Sequence, residues 1–120
     1  MSGLFSYPKR KLRKLISQGE YEKAIEFGGE LEAKSPKDLD LLFIMGSMFY
    51  ILNDEKKTLH YIDRVLEISP YDVESLSLKL RVHQFLKEND IVIDCCKKIL
   101  EVTPDNFEVR DLITELESQS

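Results

Sequence analysis

The sequence predicts an all-α chain built from stacked helix pairs, and three observations carry that prediction. Pro36, Pro70 and Pro104 stand 34 residues apart. Each closes the same phrase, an apolar helical stretch followed by Ser35-Pro36, Ser69-Pro70 or Thr103-Pro104 and then an Asp within two positions. A fixed period of this size marks chains that stack one supersecondary unit, because a single unit cannot bury its apolar face alone. The connections are only a few residues long, so successive helices must be antiparallel neighbours. The expected architecture is a solenoid of three helix-turn-helix repeats, at about residues 5–38, 39–72 and 73–106, with a C-terminal capping helix at about 105–118, all in one domain over 1–120.

Each element follows from local signals. Ser6 or Tyr7 can cap a first helix with Pro8 in its first turn, where the missing N–H is one of the unpaired donors anyway. Met1 to Tyr7 is expected to be an extended arm. Gln18-Gly19 ends that helix and Tyr21 to Ala33 returns. In the second repeat Asp38 caps a helix to about Leu52, Asn53-Asp54 turns, and Glu55 to Ile68 returns. The third repeat runs from Asp72 to Leu86 and from Asp90 to Val102, around Lys87-Glu88-Asn89. After Asp105, Val109, Leu112, Ile113 and Leu116 fall at i, i+3, i+4 and i+7, one apolar face of a seventh helix whose other face is polar. Such a helix suits the end of a solenoid.

Composition narrows the function classes. The chain has 120 residues, 42% of them hydrophobic, enough for one continuous core if helices stack. The stretch Leu39 to Leu52 is broken by Asp40, Gly46 and Ser47, short of the roughly 20 apolar residues of a membrane span. No apolar run of signal-peptide length is present near the start, so a cytoplasmic location is expected. Cys95 and Cys96 are adjacent on a helix, where side chains diverge, so no disulfide joins them. Neither has a His or Cys at metal-ligand spacing. Cys96 is expected as a small core residue and Cys95 as an ordinary helix residue. A Gly-rich phosphate loop, a nucleophile elbow and a metal-ligand cluster are all missing from the sequence, which argues against an enzyme and implies no cofactor.

The repeats resemble the tetratricopeptide repeat (TPR) family from about Pro8 to Leu116. Gly19-Glu20-Tyr21-Glu22-Lys23-Ala24-Ile25-Glu26 is similar to the family's turn and second-helix signature, with Pro36 at the family's spacing. Leu42, Met45, Gly46 and Phe49 fall on its first-helix core pattern, and Gly46 has a physical reason in close helix approach. Departures are Thr58 and Val92 at the small-residue position, Leu80 in place of Gly46, and His83 where the previous repeat has Phe49, read as a half-buried packing histidine. Pro8 and Lys11 replace apolar first-helix residues. The resemblance implies a right-handed superhelical solenoid and a protein–protein interaction module or adaptor. Its partner segment would lie in a concave groove lined by first helices.

Carried onto this chain, the groove positions are Lys9, Arg13 and Ile16, then Phe43, Ile44, Ser47 and Tyr50, then Ser77, Leu78, Arg81 and Gln84. An aromatic middle with basic flanks suits a protein or peptide partner with apolar anchors and acidic neighbours. Family members that clamp a chaperone's C-terminal carboxylate use Lys, Asn, Asn, Lys and Arg at positions that here read Lys9, Arg13, Ile44, Glu74 and Leu78. Only the first agrees, and Glu74 would repel a carboxylate, so a chaperone tail is disfavoured.

A second surface is the basic patch Lys9, Arg10, Lys11, Arg13 and Lys14. Residues 1–19 carry five positive charges and no acid. The remainder therefore has 12 Lys and Arg against 22 Asp and Glu, a net of −10. This helix is read first as a solvated face paired with acids of the second helix such as Glu22. Two rival functions stand beside the adaptor reading. One is a self-associating structural subunit, a homo-oligomer, and the other a peripheral anchor using the basic helix on anionic membrane or RNA. The pI of about 5.1 and the short, aromatic-free basic run weigh against nucleic acid.

Overall fold

The computed structural model describes residues 2–119, with side chains from position 7 onward. Among these residues there are seven helices and no strand: α1 Ser2–Ser17, α2 Tyr21–Lys34, α3 Leu39–Ile51, α4 Glu55–Ile68, α5 Val73–Phe85, α6 Asn89–Val102 and α7 Phe107–Ser118. The expected boundaries hold within a residue or two except at the start. α1 begins at Ser2, so the extended arm is replaced by helix and Pro8 lies inside it. Proline's fixed φ of about −65° is itself a helical value, so Pro8 does not bar helix on its N-terminal side. Met1, the first residue of that expected arm, lies outside the described residues.

The 34-residue period is written in the backbone as well as in the prolines. The carboxylates of Asp38 and Asp72 and the amide oxygen of Asn106 accept hydrogen bonds from the N–H groups of Leu41, Ser75 and Val109, at 3.1, 3.0 and 3.2 Å. Each satisfies a donor that a helix start leaves unpaired. The seventh helix, expected from about residue 105, is thus capped by Asn106 and begins at Phe107.

The ends of α1, α3 and α5 also repeat. Glu20, Asp54 and Glu88 N–H donate to the carbonyls of Leu15, Phe49 and His83, while Gly19, Asn53 and Lys87 N–H donate to Ile16, Tyr50 and Gln84. This paired closure requires a left-handed residue, and Gly19, Asn53 and Lys87 have φ of 75°, 60° and 60°.

The chain divides into two compact units, with the division inside α4 between Tyr61 and Ile62. In the first, Leu12, Ala24, Leu41, Ile44, Met45, Met48 and Phe49 form the core, and Leu15, Ile16, Phe27, Leu31 and Tyr61 pack around it. Gly28 on α2 faces Met45 and Leu12 so closely that a Cβ there would overlap the Met45 sulfur. Phe49 and Tyr61 stack at 5.8 Å, and the Tyr61 hydroxyl donates to the Glu32 carboxylate at 2.7 Å.

In the second unit the core is Leu76, Leu80, Val92, Cys95, Cys96 and Ile99. Val109, Leu112, Ile113 and Leu116 of α7 pack against it. Both cysteines are buried, so Cys95 is a core residue and not an ordinary surface position. Burial pushes both thiols up, Cys96 to about 11. Ala24, Thr58 and Val92, one repeat apart, are all fully buried, and the Thr58 hydroxyl is satisfied by donating to the Asp54 carbonyl at 2.8 Å.

Candidate functional site

In the first unit α1 lies against α3 through charge as well as through Leu12. The Lys9 ammonium is 3.1 Å from the Asp38 carboxylate and 3.5 Å from that of Asp40. The Arg13 guanidinium is 3.0 Å from Asp40. These partners lie on α3 and its cap, not on α2 as the Glu22 reading expected. Burial alone would raise the Asp38 pKa, but the Leu41 N–H, the Lys9 ammonium and the Asp40 N–H together hold it below the ordinary 3.8. Asp38 therefore does two things: it caps α3 and it ties α1 to that cap.

The basic run is split by the helical period. Lys9 and Arg13, four residues apart, turn to α3. Arg10, Lys11 and Lys14 are exposed and, with Tyr7, Leu15 and Gln18, line a depression of about 540 Å³. The Lys11 ammonium sits 4.6 Å from the centre of the Phe27 ring. Cations held over an aromatic face gain from its negative quadrupole, which fixes this side chain at the edge of the depression.

Along α3, Phe43 and Ser47 are half-buried and Tyr50 is 39% exposed, a stripe at i, i+4 and i+7. Ile16 on α1 is half-buried. Ile44 is 6% exposed and belongs to the core of this unit, so it supports the face from beneath and offers no contact surface. The reason is that α3 is apolar on nearly all sides, with Asp40 its single charge, and such a helix is buried widely.

In the second unit, α5 carries the remaining candidates. Arg81 and Gln84 are exposed and Ser77 is half-buried, whereas Leu78 is buried and not available for contact. Lys79, between them, is bound to Asp63 at 2.8 Å. His83 is 7% exposed, more buried than the half-buried position expected. Its Nδ1 lies 3.4 Å from the Glu88 carboxylate without a hydrogen bond.

Sequence reasoning missed Asp38 and Asp40 as partners of the basic run, and the tight fit of Gly28 against Met45 and Leu12. The acids were visible, but which helix face meets which is a matter of three-dimensional register. Among the described residues no group of three or more His, Cys, Asp or Glu side chains is placed to hold a metal. No helix among them is long and apolar enough to cross a membrane.

Neither a protein-family model nor a curated protein matches the sequence. The structure does match solved chains. One is the first TPR of Spaghetti (RPAP3) bound to the HSP90 peptide SRMEEVD, with a TM-score of 0.79 at 18% identity over 93% of this chain and 89% of that one. The chain thus has the TPR fold, a run of helix pairs, and at this identity the likeness is one of fold.

Proposed function

We propose that this protein is a non-catalytic interaction module that holds a partner peptide or helix against the first-helix face of its repeats. The observation that carries this reading is the α1–α3 face of the first unit. Tyr50 is 39% exposed beside half-buried Phe43 and Ser47, with Arg13 and Asp40 paired along the edge. Aromatic side chains of that kind anchor protein segments at small entropic cost. The shared fold supports the same reading at the level of ligand class, since Spaghetti (RPAP3) binds a peptide. Arg81 and Gln84 on α5 are the candidates for contact in the second unit.

The occupant differs from an acidic chaperone tail. Lys9, the single position that agrees with the carboxylate clamp, is already engaged by Asp38 and Asp40, and Arg13 by Asp40. Ile44 and Leu78 are buried where the clamp needs polar donors. A carboxylate would have to displace an internal one. Apolar anchors for Phe43 and Tyr50 are therefore the primary requirement, with acidic neighbours secondary.

The test is partner capture with the wild type and with Phe43→Ala/Tyr50→Ala, checked for helicity by circular dichroism. Capture is expected to fall at least tenfold with helicity unchanged, because losing two anchors costs more than about 1.4 kcal/mol. The peptide SRMEEVD is expected to bind more weakly than about 1 mM. Full capture by the double variant sinks the groove reading, and tight SRMEEVD binding sinks the choice of ligand.

A further inference from the structure

The two sides of α1 differ in what they touch. Lys9 and Arg13 are neutralised within the chain, but among the described residues no carboxylate pairs with Arg10, Lys11 or Lys14. These three surround a depression whose apolar part is Tyr7, 64% exposed, and half-buried Leu15. α1 packs on α2 and α3, and the depression is lined by side chains of α1 and of the turn that follows it, with Lys11 at its edge over Phe27 of α2.

α7 carries the opposite charge. Glu108, Asp111 and Glu115 follow at i, i+3 and i+7, one exposed stripe beside the face that Val109, Leu112, Ile113 and Leu116 turn to the core. Among the described residues none of the three has a cationic partner. The cation on that helix, Arg110, is drawn back to the Pro104 carbonyl and lies 5.9 Å from the centre of the Phe107 ring. Phe107 is 67% exposed next to the acids. One helix therefore offers three cations without a carboxylate partner beside a tyrosine, and another offers three acids without a cationic partner beside a phenylalanine.

We propose that the outer face of α1 in one copy of this chain docks on the outer face of α7 in a second copy, head to tail. Complementary charge steers and orients such an encounter, and the two exposed aromatics supply apolar area at its centre. The two faces differ, so each copy brings one basic and one acidic surface to the association, and a single contact joins unlike faces of two copies. It uses surfaces distinct from the α1–α3 face proposed to hold a partner.

Sedimentation velocity on the full chain tests this. At about 0.05 M salt the weight-average mass is expected to rise above 14.0 kDa with concentration. At about 1 M, where the screening length is near 3 Å, it returns to the monomer. Two variants are made, Arg10→Gln/Lys11→Gln/Lys14→Gln and Glu108→Gln/Asp111→Asn/Glu115→Gln, each checked for helicity. Each alone is expected to stay monomeric. Their mixture is expected to stop at a 1:1 dimer, twice 14.0 kDa, because only one pair of competent faces remains.

Single changes Lys14→Gln and Asp111→Asn, each weakening association severalfold, repeat the test should a triple variant misfold. The proposal is overturned by a wild type that stays monomeric to about 1 mM at low salt. It is equally overturned by association that ignores salt, by either variant assembling alone, or by these cations serving an RNA or membrane ligand in a monomeric chain.

Discussion

Phe49 and His83 occupy the same place one repeat apart, and each closes its helix with the same backbone hydrogen bond, at 2.9 Å in both cases. Their rings live differently. Phe49 stacks on Tyr61 at 5.8 Å with the Lys57 ammonium 5.1 Å from its centre, all within the first unit. His83 buries an Nδ1 that makes no hydrogen bond. The comparison teaches that the repeat frame is set by caps, turns and prolines. What each unit gains from that frame is decided by side chains the frame does not specify.

Exchanging the two rings is the largest way to break the comparison. Phe49→His is expected to destabilise by about 2–3 kcal/mol, since it loses the stack and buries ring nitrogens without partners. His83→Phe is expected to stabilise by about 1 kcal/mol, because it removes an unsatisfied polar atom from a buried site. Urea unfolding of both variants checks the pair. A stable Phe49→His protein would show that the first unit does not depend on its aromatic stack, and a His83→Phe protein less stable than wild type would show that the second unit uses its histidine.

Gly28 and Cys96 form a second contrast, two repeats apart. Gly28→Val is expected to cost about 1–3 kcal/mol, because its side chain would enter space held by the Met45 thioether and Leu12. Cys96→Gly is expected to cost about 2 kcal/mol for the opposite reason, a lost buried side chain and a glycine in mid-helix. Thermal melts that fall by several degrees for both support the view that each unit fills the same position in its own way. Indifference at either site refutes it.

The sequence made the frame legible because its punctuation is chemical. Proline, the capping Asp38 and Asp72, and the turn residues Gly19 and Asn53 act through local backbone geometry that any reader of the chain can apply. The apolar face of α7 was equally plain, since Val109, Leu112, Ile113 and Leu116 follow one helical period. The candidate site was less legible. Lys9 and Arg13 read as a groove edge and as part of a basic patch, and only register between α1 and α3 shows that Asp38 and Asp40 neutralise them. Ile44 read as groove floor for a similar reason. On a helix apolar all round, periodicity does not say which side meets solvent.

The turns that close α1, α3 and α5 offer a smaller contrast. All three need a left-handed residue, and glycine adopts that conformation without strain where a lysine does not. Lys87→Gly is expected to stabilise by up to about 1 kcal/mol, Asn53→Gly by a few tenths, and Gly19→Ala to cost about 1 kcal/mol. The order is the test. If all three changes are neutral in urea titrations, the turns follow the helices and do not help to set their ends.

The finest comparison lies between Asp38 and Asp72, which cap α3 and α5 in the same way. Asp38 alone is also bound to a lysine, at 3.1 Å. Asn caps as well as Asp, so Asp38→Asn removes the ion pair while keeping the cap. At pH 6 it is expected to cost no more than about 1 kcal/mol, as its partner is partly exposed to water and salt screens the pair. Because the folded-state pKa of Asp38 lies below 3.8, the carboxylate stabilises the fold above that pH. The contribution is lost as pH falls through the lowered value. Wild type and Asp38→Asn should therefore differ in urea midpoint at pH 6 and converge only as pH falls below the lowered Asp38 value, while Asp72→Asn changes less than Asp38→Asn at pH 6. A gap between wild type and Asp38→Asn that persists in acid would mean that the amide perturbs the cap itself. Lys9→Met, which leaves the cap untouched, separates the two causes by reproducing the pH 6 loss only if the ion pair is responsible.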